Sequence, residues 1–152
     1  MNQKPIWDHQ RMMHSWKKIQ EMKKNYHPKM GDDYASYVTS LPASILMNGL
    51  GQALVQLRVA AKQKEDDPHE LLYRHVQEWL CQDIPQTPYP GSQDLIEAIM
   101  SHDRKKYNWA IQETMAWLKW HKKFANTYLK IRKEESEDGQ TESKQSEVHQ
   151  EN

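Results

Sequence analysis

The chain has 152 residues, 37% of them hydrophobic, with a mean hydropathy of −1.03 and a formal net charge of zero. That length suits one domain with a modest core, and no apolar run approaches the about 18–20 residues needed to cross a bilayer. A single cysteine, Cys81, excludes an intrachain disulfide and fits a reducing compartment, and the opening MNQKPIWDHQRMM lacks a signal-peptide apolar region, so a soluble cytoplasmic protein is expected.

A first helix is expected from near Pro5, which suits an early helical position because it lacks an N–H, to about Tyr26, where His27-Pro28 stops it. Met12, Trp16, Ile19, Met22 or Lys23, and Tyr26 recur at steps of three and four and mark its buried face. Arg11, Lys17, Lys18 and Lys24 lie largely off that stripe. Asp32 and Asp33 offer an N-cap to a short second helix, 34–40. Leu41-Pro42 restarts the chain in a third helix ending around Lys62, with core positions Leu46, Leu50, Ala53, Leu54, Leu57 and Ala61. Inside it, Asn48-Gly49-Leu50-Gly51 is a poor helix former, each glycine costing ~1 kcal/mol against alanine. Close approach of another helix explains those glycines more readily than a ligand-facing notch.

After a charged loop at 62–68, a fourth helix is expected over 69–81, with Leu72, Val76, Trp79 and Leu80 facing in. QDIPQTPYPG, 82–91, holds three prolines and a glycine and cannot be regular structure. Ser92 is expected to cap a fifth helix buried through Leu95, Ile96, Ile99 and Met100. Asp103 caps the last, 104–133, with buried positions near Tyr107, Ile111, Met115, Leu118 and Ala125; its 30 residues would be roughly 45 Å long. No stretch alternates with period two. The expected fold is therefore all-α: a compact antiparallel bundle of about five or six helices over 1–133, with a long C-terminal helix. The tail 134–152, EESEDGQTESKQSEVHQEN, has almost nothing to bury and is expected to be disordered.

The neutral total hides a segregated charge. Residues 1–29 hold seven bases and two acids, 30–103 four and eleven, 104–133 nine and one, and 134–152 one and seven. Both terminal helical segments are thus basic, the centre acidic, and the tail strongly so.

Catalytic chemistry has no such signal. His9 and His14 are five apart and His69 and His75 six apart, so neither pair has the i, i+4 spacing of a helical metal site, and no second cysteine is present. The histidines therefore read as surface or partly buried. Glu65-Asp66-Asp67 with Glu70 could attract Mg²⁺ but lacks the alternation and central glycine of a Ca²⁺ loop, and reads as a solvated connection. Cys81 has no nucleophile signature, and neither G-x-S-x-G nor a phosphate-binding glycine loop occurs. No catalytic residue, metal, cofactor or small-molecule substrate is expected.

The lysines of the two basic segments repel one another unless something neutralises them. A solvated face with snorkelling lysines is the plain reading. The matching excess on the first and last helices favours a polyanion, with nearby Trp and Tyr able to stack on bases although each singly reads as core. The acidic tail has a natural role as competitor for that surface.

Three blocks carry a family resemblance. They are Tyr37-x3-Leu41-Pro42-x2-Ile45-x2-Asn48-Gly49-Leu50-Gly51-Gln52-Ala53-Leu54; Leu71-Leu72-x6-Trp79-Leu80; and Tyr107-x6-Thr114-x2-Trp117-Leu118 leading to Trp120-x-Lys122-Lys123-Phe124-Ala125. In that order the chain resembles, over roughly 6–130, the small all-helical subunit of the type III-B CRISPR effector, the Cmr complex. Leu41, Pro42, Asn48, Gly49, Leu50, Trp120, Phe124 and Ala125 are then its helix-packing motif.

The resemblance implies a non-catalytic subunit acting in antiviral defence, with further copies of itself, the backbone subunit, and the CRISPR guide and target RNAs as partners. Phosphate contacts are expected from Arg11, Lys17, Lys18, Lys24, Lys105, Lys106, Lys119, Lys122 and Lys123, which would position RNA without reading its sequence. The chain departs from the pattern at His121, where an apolar residue is usual, and in its acidic tail. The type III-A small subunit is a sister reading, and a helical protein–protein adaptor that touches no nucleic acid is a rival from another class.

Overall fold

The computed structural model describes residues 6–131, which form six helices and, among the described residues, no strand. The expected disorder at 134–152 and the start near Pro5 concern residues outside that range. The first helix, α1 (Trp7–Asn25), carries Asp8 in its first turn and Lys23 and Lys24 in its last, charges that complement the helix dipole. It ends at Tyr26 in extended backbone, where His27-Pro28 starts the next helix: Pro28 occupies the first turn and the His27 side chain accepts from the Lys29 N–H.

That next helix, α2 (Pro28–Asn48), runs unbroken through Pro42, so the expected short helix at 34–40 and the restart at Leu41-Pro42 are overturned. Pro42 removes one backbone donor at a cost of ~3 kcal/mol. Val38, Leu41 and Ile45 are nonetheless all buried on one face across it, and each such side chain contributes about 1.5–3 kcal/mol, enough to hold the helix together. The continuous register buries Ile45 and turns Leu46 out to 76% exposure, so Leu46 is not a core residue. Asp32 caps nothing here; its carboxylate accepts from the Ile131 N–H at 2.9 Å.

The break comes instead at Gly49, with φ 87° and ψ 158°, backbone that is essentially glycine-only. Beyond it α3 (Leu50–Ala61) buries Leu50, Ala53, Leu54, Leu57 and Ala61 as expected. Close approach by another helix is indeed what the glycines allow: the Gly51 N–H donates to the Tyr107 hydroxyl at 3.1 Å. A Cβ on Gly49 would lie 3.3 Å from that hydroxyl, and one on Gly51 3.7 Å away in ordinary contact. Gly49→Ala should therefore lose about 1–3 kcal/mol in urea unfolding, whereas Gly51→Ala should be neutral or gain up to about 1 kcal/mol from helix propensity. Equal losses would show that backbone conformation is not the reason for Gly49.

Asp67 caps α4 (Pro68–Leu80), accepting from the His69 N–H at 2.8 Å, and Leu72, Val76, Trp79 and Leu80 are buried as expected. Asp94, rather than Ser92, caps α5 (Leu95–Ser101); its carboxylate accepts from the Glu97 N–H and the Tyr73 hydroxyl. Met100 is 74% exposed and leaves the predicted buried edge. The last helix, α6 (Arg104–Tyr128), is capped by Asp103, which accepts from the Lys106 N–H at 3.0 Å.

α6 packs against α1, α2 and α4. Its deepest positions are Ala110, Glu113, Thr114, Trp117, Leu118, His121 and Ala125, while Tyr107, Ile111 and Met115 are only half-buried. α4 runs antiparallel to α2, with Tyr34 meeting His75 and Tyr37 stacking on His69, and to α6, with Trp79 meeting Glu113 and His75 meeting His121. The α1–α6 pair runs parallel: Trp7 meets Glu113, Ser15 meets His121, and Trp16 meets Tyr128. No described helix is long and apolar enough to cross a membrane.

Candidate nucleic-acid interface

The parallel α1–α6 pair has a polar inner side. Glu113, 4% exposed, accepts from Trp7 Nε1 at 3.2 Å, Trp79 Nε1 at 3.0 Å, Arg11 Nε at 2.7 Å and Arg11 Nη2 at 3.0 Å. Burial pushes the Glu113 carboxyl up, but the Arg11 and tryptophan hydrogen bonds outweigh it and hold it below the usual carboxylate range. Arg11 also reaches Asp8, and its side chain is only 19% exposed. Lys18 is 13% exposed and bound to Glu78 and Glu21. Of the nine cations expected to meet RNA, these two are therefore turned inward and neutralised within the chain.

Deeper still, Tyr34 Oη lies 2.6 Å from His75 Nδ1 and 2.6 Å from His121 Nε2, and Ser15 Oγ lies 2.8 Å from His121 Nδ1. The single hydroxyl proton of Tyr34 lets it donate to one ring and accept from the other. Burial holds His121 well below its ordinary value and brings His75 down to about 3, so both are neutral and act as core hydrogen-bonding groups. His14 Nδ1 accepts from Trp117 Nε1 at 3.0 Å, and burial followed by the Lys18 charge lowers it to about 4. The expectation of surface or partly buried histidines is corrected for His75 and His121, which are both buried; His121 stacks on Trp117 at 4.0 Å between ring centroids.

With these polar groups inside, the expected apolar stripe of α1 holds at Ile19 and Met22 and fails at Met12 and Trp16. Ser15, Ile19 and Met22 are buried; Met12 and Trp16 are 39% and 42% exposed. Trp16 instead forms an aromatic seam with α6, edge-on to Phe124 at 5.6 Å and to Tyr128 at 5.0 Å. Trp120 stacks on Phe124, and Lys23 sits 5.8 Å above the Tyr128 ring. Trp120 Nε1 donates to Asp8 at 3.1 Å, closing the seam's other end.

Exposed lysines stand on both helices that build this seam. Lys17 and Lys24 are exposed, two turns apart on the outer side of α1. Lys119, Lys122 and Lys123 are exposed on α6 and, with Asn126 and Thr127, line a shallow depression. Lys105 is exposed on the same outer side, 14 residues or roughly 21 Å earlier. Lys106 is half-buried and turned away from that row by one residue's rotation. None of these seven has an ion-pair partner among the described residues.

Of the packing motif, Leu41, Leu50 and Ala125 are buried, Pro42, Gly49, Trp120 and Phe124 half-buried, and Asn48 exposed. Lys23 and Trp16, both exposed, join this outer face although they share the helical spacing of the apolar stripe. The apolar stripe had assigned both to the core side; only the unusual acid Glu113 in a basic helix pointed to an internal partner for Arg11.

A separate surface is apolar. Leu46, Met47 and Val59 are 76%, 82% and 62% exposed, and Val55, Ile96, Ile99, Met100 and Tyr107, with Asn48, Gln52 and Gln56 among them, line a groove between α3 and α5. Among the described residues no group of three His, Cys, Asp or Glu is placed to hold a metal ion. Residues 7–128 match the family described as CRISPR-associated protein (Cas_Cmr5).

Proposed function

The chain belongs to the Cas_Cmr5 family of CRISPR-associated proteins and so is a subunit of a type III-B Cmr complex; from that premise we propose that it is a non-catalytic small subunit which holds the RNA backbone against its α1–α6 face. The observation that carries the reading is the exposed lysine set Lys17, Lys24, Lys119, Lys122 and Lys123 on the two helices that share a half-exposed aromatic seam, none of the five ion-paired among the described residues. A cationic row tracks phosphates, while Trp16 and Tyr128 offer ring faces to unstacked bases. Arg11 and Lys18 serve the fold instead. The apolar ridge and groove of α2, α3 and α5 is the surface offered to neighbouring subunits, including further copies of this chain, since apolar exposure of that extent marks protein contacts.

Filter binding of labelled single-stranded RNA to the assembled complex and to the isolated subunit across salt concentrations tests this. Five phosphate contacts at a log–log slope of about −0.7 each predict roughly a hundredfold fall in affinity between 50 and 200 mM salt. The isolated subunit binds more weakly, since repetition along an assembly multiplies single contacts. Flat, negligible binding in both forms would favour the protein–protein adaptor, for which the apolar ridge alone would suffice.

A further inference from the structure

The way α6 ends fixes where the remaining chain departs. Leu129 is buried against Gly31, Lys130 Nζ donates to Ser36 Oγ at 2.8 Å, and the Ile131 N–H donates to Asp32 Oδ1 at 2.9 Å. Three successive residues are thus tied to the first turns of α2. This exit follows Tyr128, whose ring also carries Lys23 from the end of α1, so the chain leaves at the end of the parallel α1–α6 pair on which the exposed lysines stand. The sequence that follows, 134–152, holds seven acids and one base. The rows it leaves beside hold exposed Lys17, Lys24, Lys119, Lys122 and Lys123, unpaired among the described residues.

We propose that segment 134–152 lies back along these lysine rows as an intramolecular polyanion and competes with RNA for them. This inference rests on the RNA-backbone reading and adds a regulatory element to the same face.

Reach and charge both fit. Nineteen residues span at most about 63 Å when extended, more than the roughly 37 Å length of α6. Lys123 and Lys119 lie five and nine residues before Tyr128, about 8 and 14 Å along the helix axis, well inside that span. Lys105, about 35 Å away, is the furthest of the α6 lysines and should be screened least. Tethering supplies an effective concentration of order millimolar. A segment with only about 0.1–1 mM intrinsic affinity for the lysine rows would then lower apparent RNA affinity about 2- to 10-fold. The effect weakens as salt screens both competitors.

The test compares the full chain with two variants: one ending at Lys133, and one in which Glu134, Glu135, Glu137, Asp138, Glu142, Glu147 and Glu151 become the corresponding amides. RNA affinity is measured at 50 mM and 500 mM salt. Zero-length carbodiimide crosslinking of the full chain, without and with RNA, is mapped by mass spectrometry. Both variants should bind RNA about 2- to 10-fold tighter than the full chain at 50 mM salt, with the gap closing at 500 mM. Crosslinks should join segment carboxylates to Lys119, Lys122 or Lys123 and fade when RNA is added. Equal affinity of all three forms, with RNA bound by each, overturns the inference and leaves the RNA reading standing. Loss of RNA binding in every form overturns the RNA reading and with it the competition. Crosslinks confined to lysines away from α1 and α6 overturn the proposed contact by a route that does not depend on RNA.

Discussion

Glu113→Ala is expected to destabilise the protein by about 3–5 kcal/mol, the range for removing one partner of a buried ion pair. The substitution strands more than Arg11. Trp7 Nε1 and Trp79 Nε1 lose their acceptor as well, so helices α1, α4 and α6 are loosened together. Urea unfolding followed by tryptophan fluorescence measures it, and a loss below about 1 kcal/mol would mean the hub contributes little. The double variant Arg11→Met, Glu113→Leu should recover part of the loss, because no buried charge is then left unpaired.

The pH dependence follows from the shifts. Glu113 is held below its ordinary 4.5, so the unfolded chain binds its proton first. Its contribution is full above about pH 4.5 and drains as pH falls through the lower folded value. His75 lies at about 3 in the folded protein against 6.5 ordinarily, so the unfolded chain takes up that proton as pH drops below 6.5. Acid destabilisation should therefore begin near pH 6.5 in both proteins, and the further component below pH 4.5 should be missing from Glu113→Ala.

On the outer face, the triple substitution of Lys119, Lys122 and Lys123 by glutamine is expected to weaken RNA binding about 50-fold at 0.15 M salt. Three phosphate contacts account for that figure and for a slope shallower by about 2. Folding stability should change little, since all three lysines are exposed and unpaired among the described residues. Arg11→Gln provides the opposite pattern: stability falls while the salt slope stays put, because Arg11 is spent on Glu113 and Asp8. If the triple variant keeps the parent slope, RNA does not lie on this face.

The contrast between Arg11 and Lys119 shows where sequence stops being informative. Both are cations off the apolar stripe of a basic helix. Arg11 meets Glu113 across 102 residues of chain, and no local periodicity contains that pairing. The same holds for Ser15 with His121, 106 apart, and Tyr34 with His75 and His121. A polar inner seam made of such distant partners carries no hydrophobic period, so the apolar stripe of α1 is right at Ile19 and Met22 but not at Met12 and Trp16.

By itself the sequence determined an all-α chain, the capped start of α6 at Asp103, the buried face of α4, the glycine pair that admits Tyr107, and a segregated charge with basic first and last helices. These follow from local propensities and short-range spacing, which every helix must satisfy on its own. Tertiary structure decided that α2 continues through Pro42, because burial of Val38, Leu41 and Ile45 exceeds the cost of one missing donor. It also decided which cations are paired among the described residues, because folding brings Glu113 to Arg11 and Glu78 to Lys18 from distant parts of the chain.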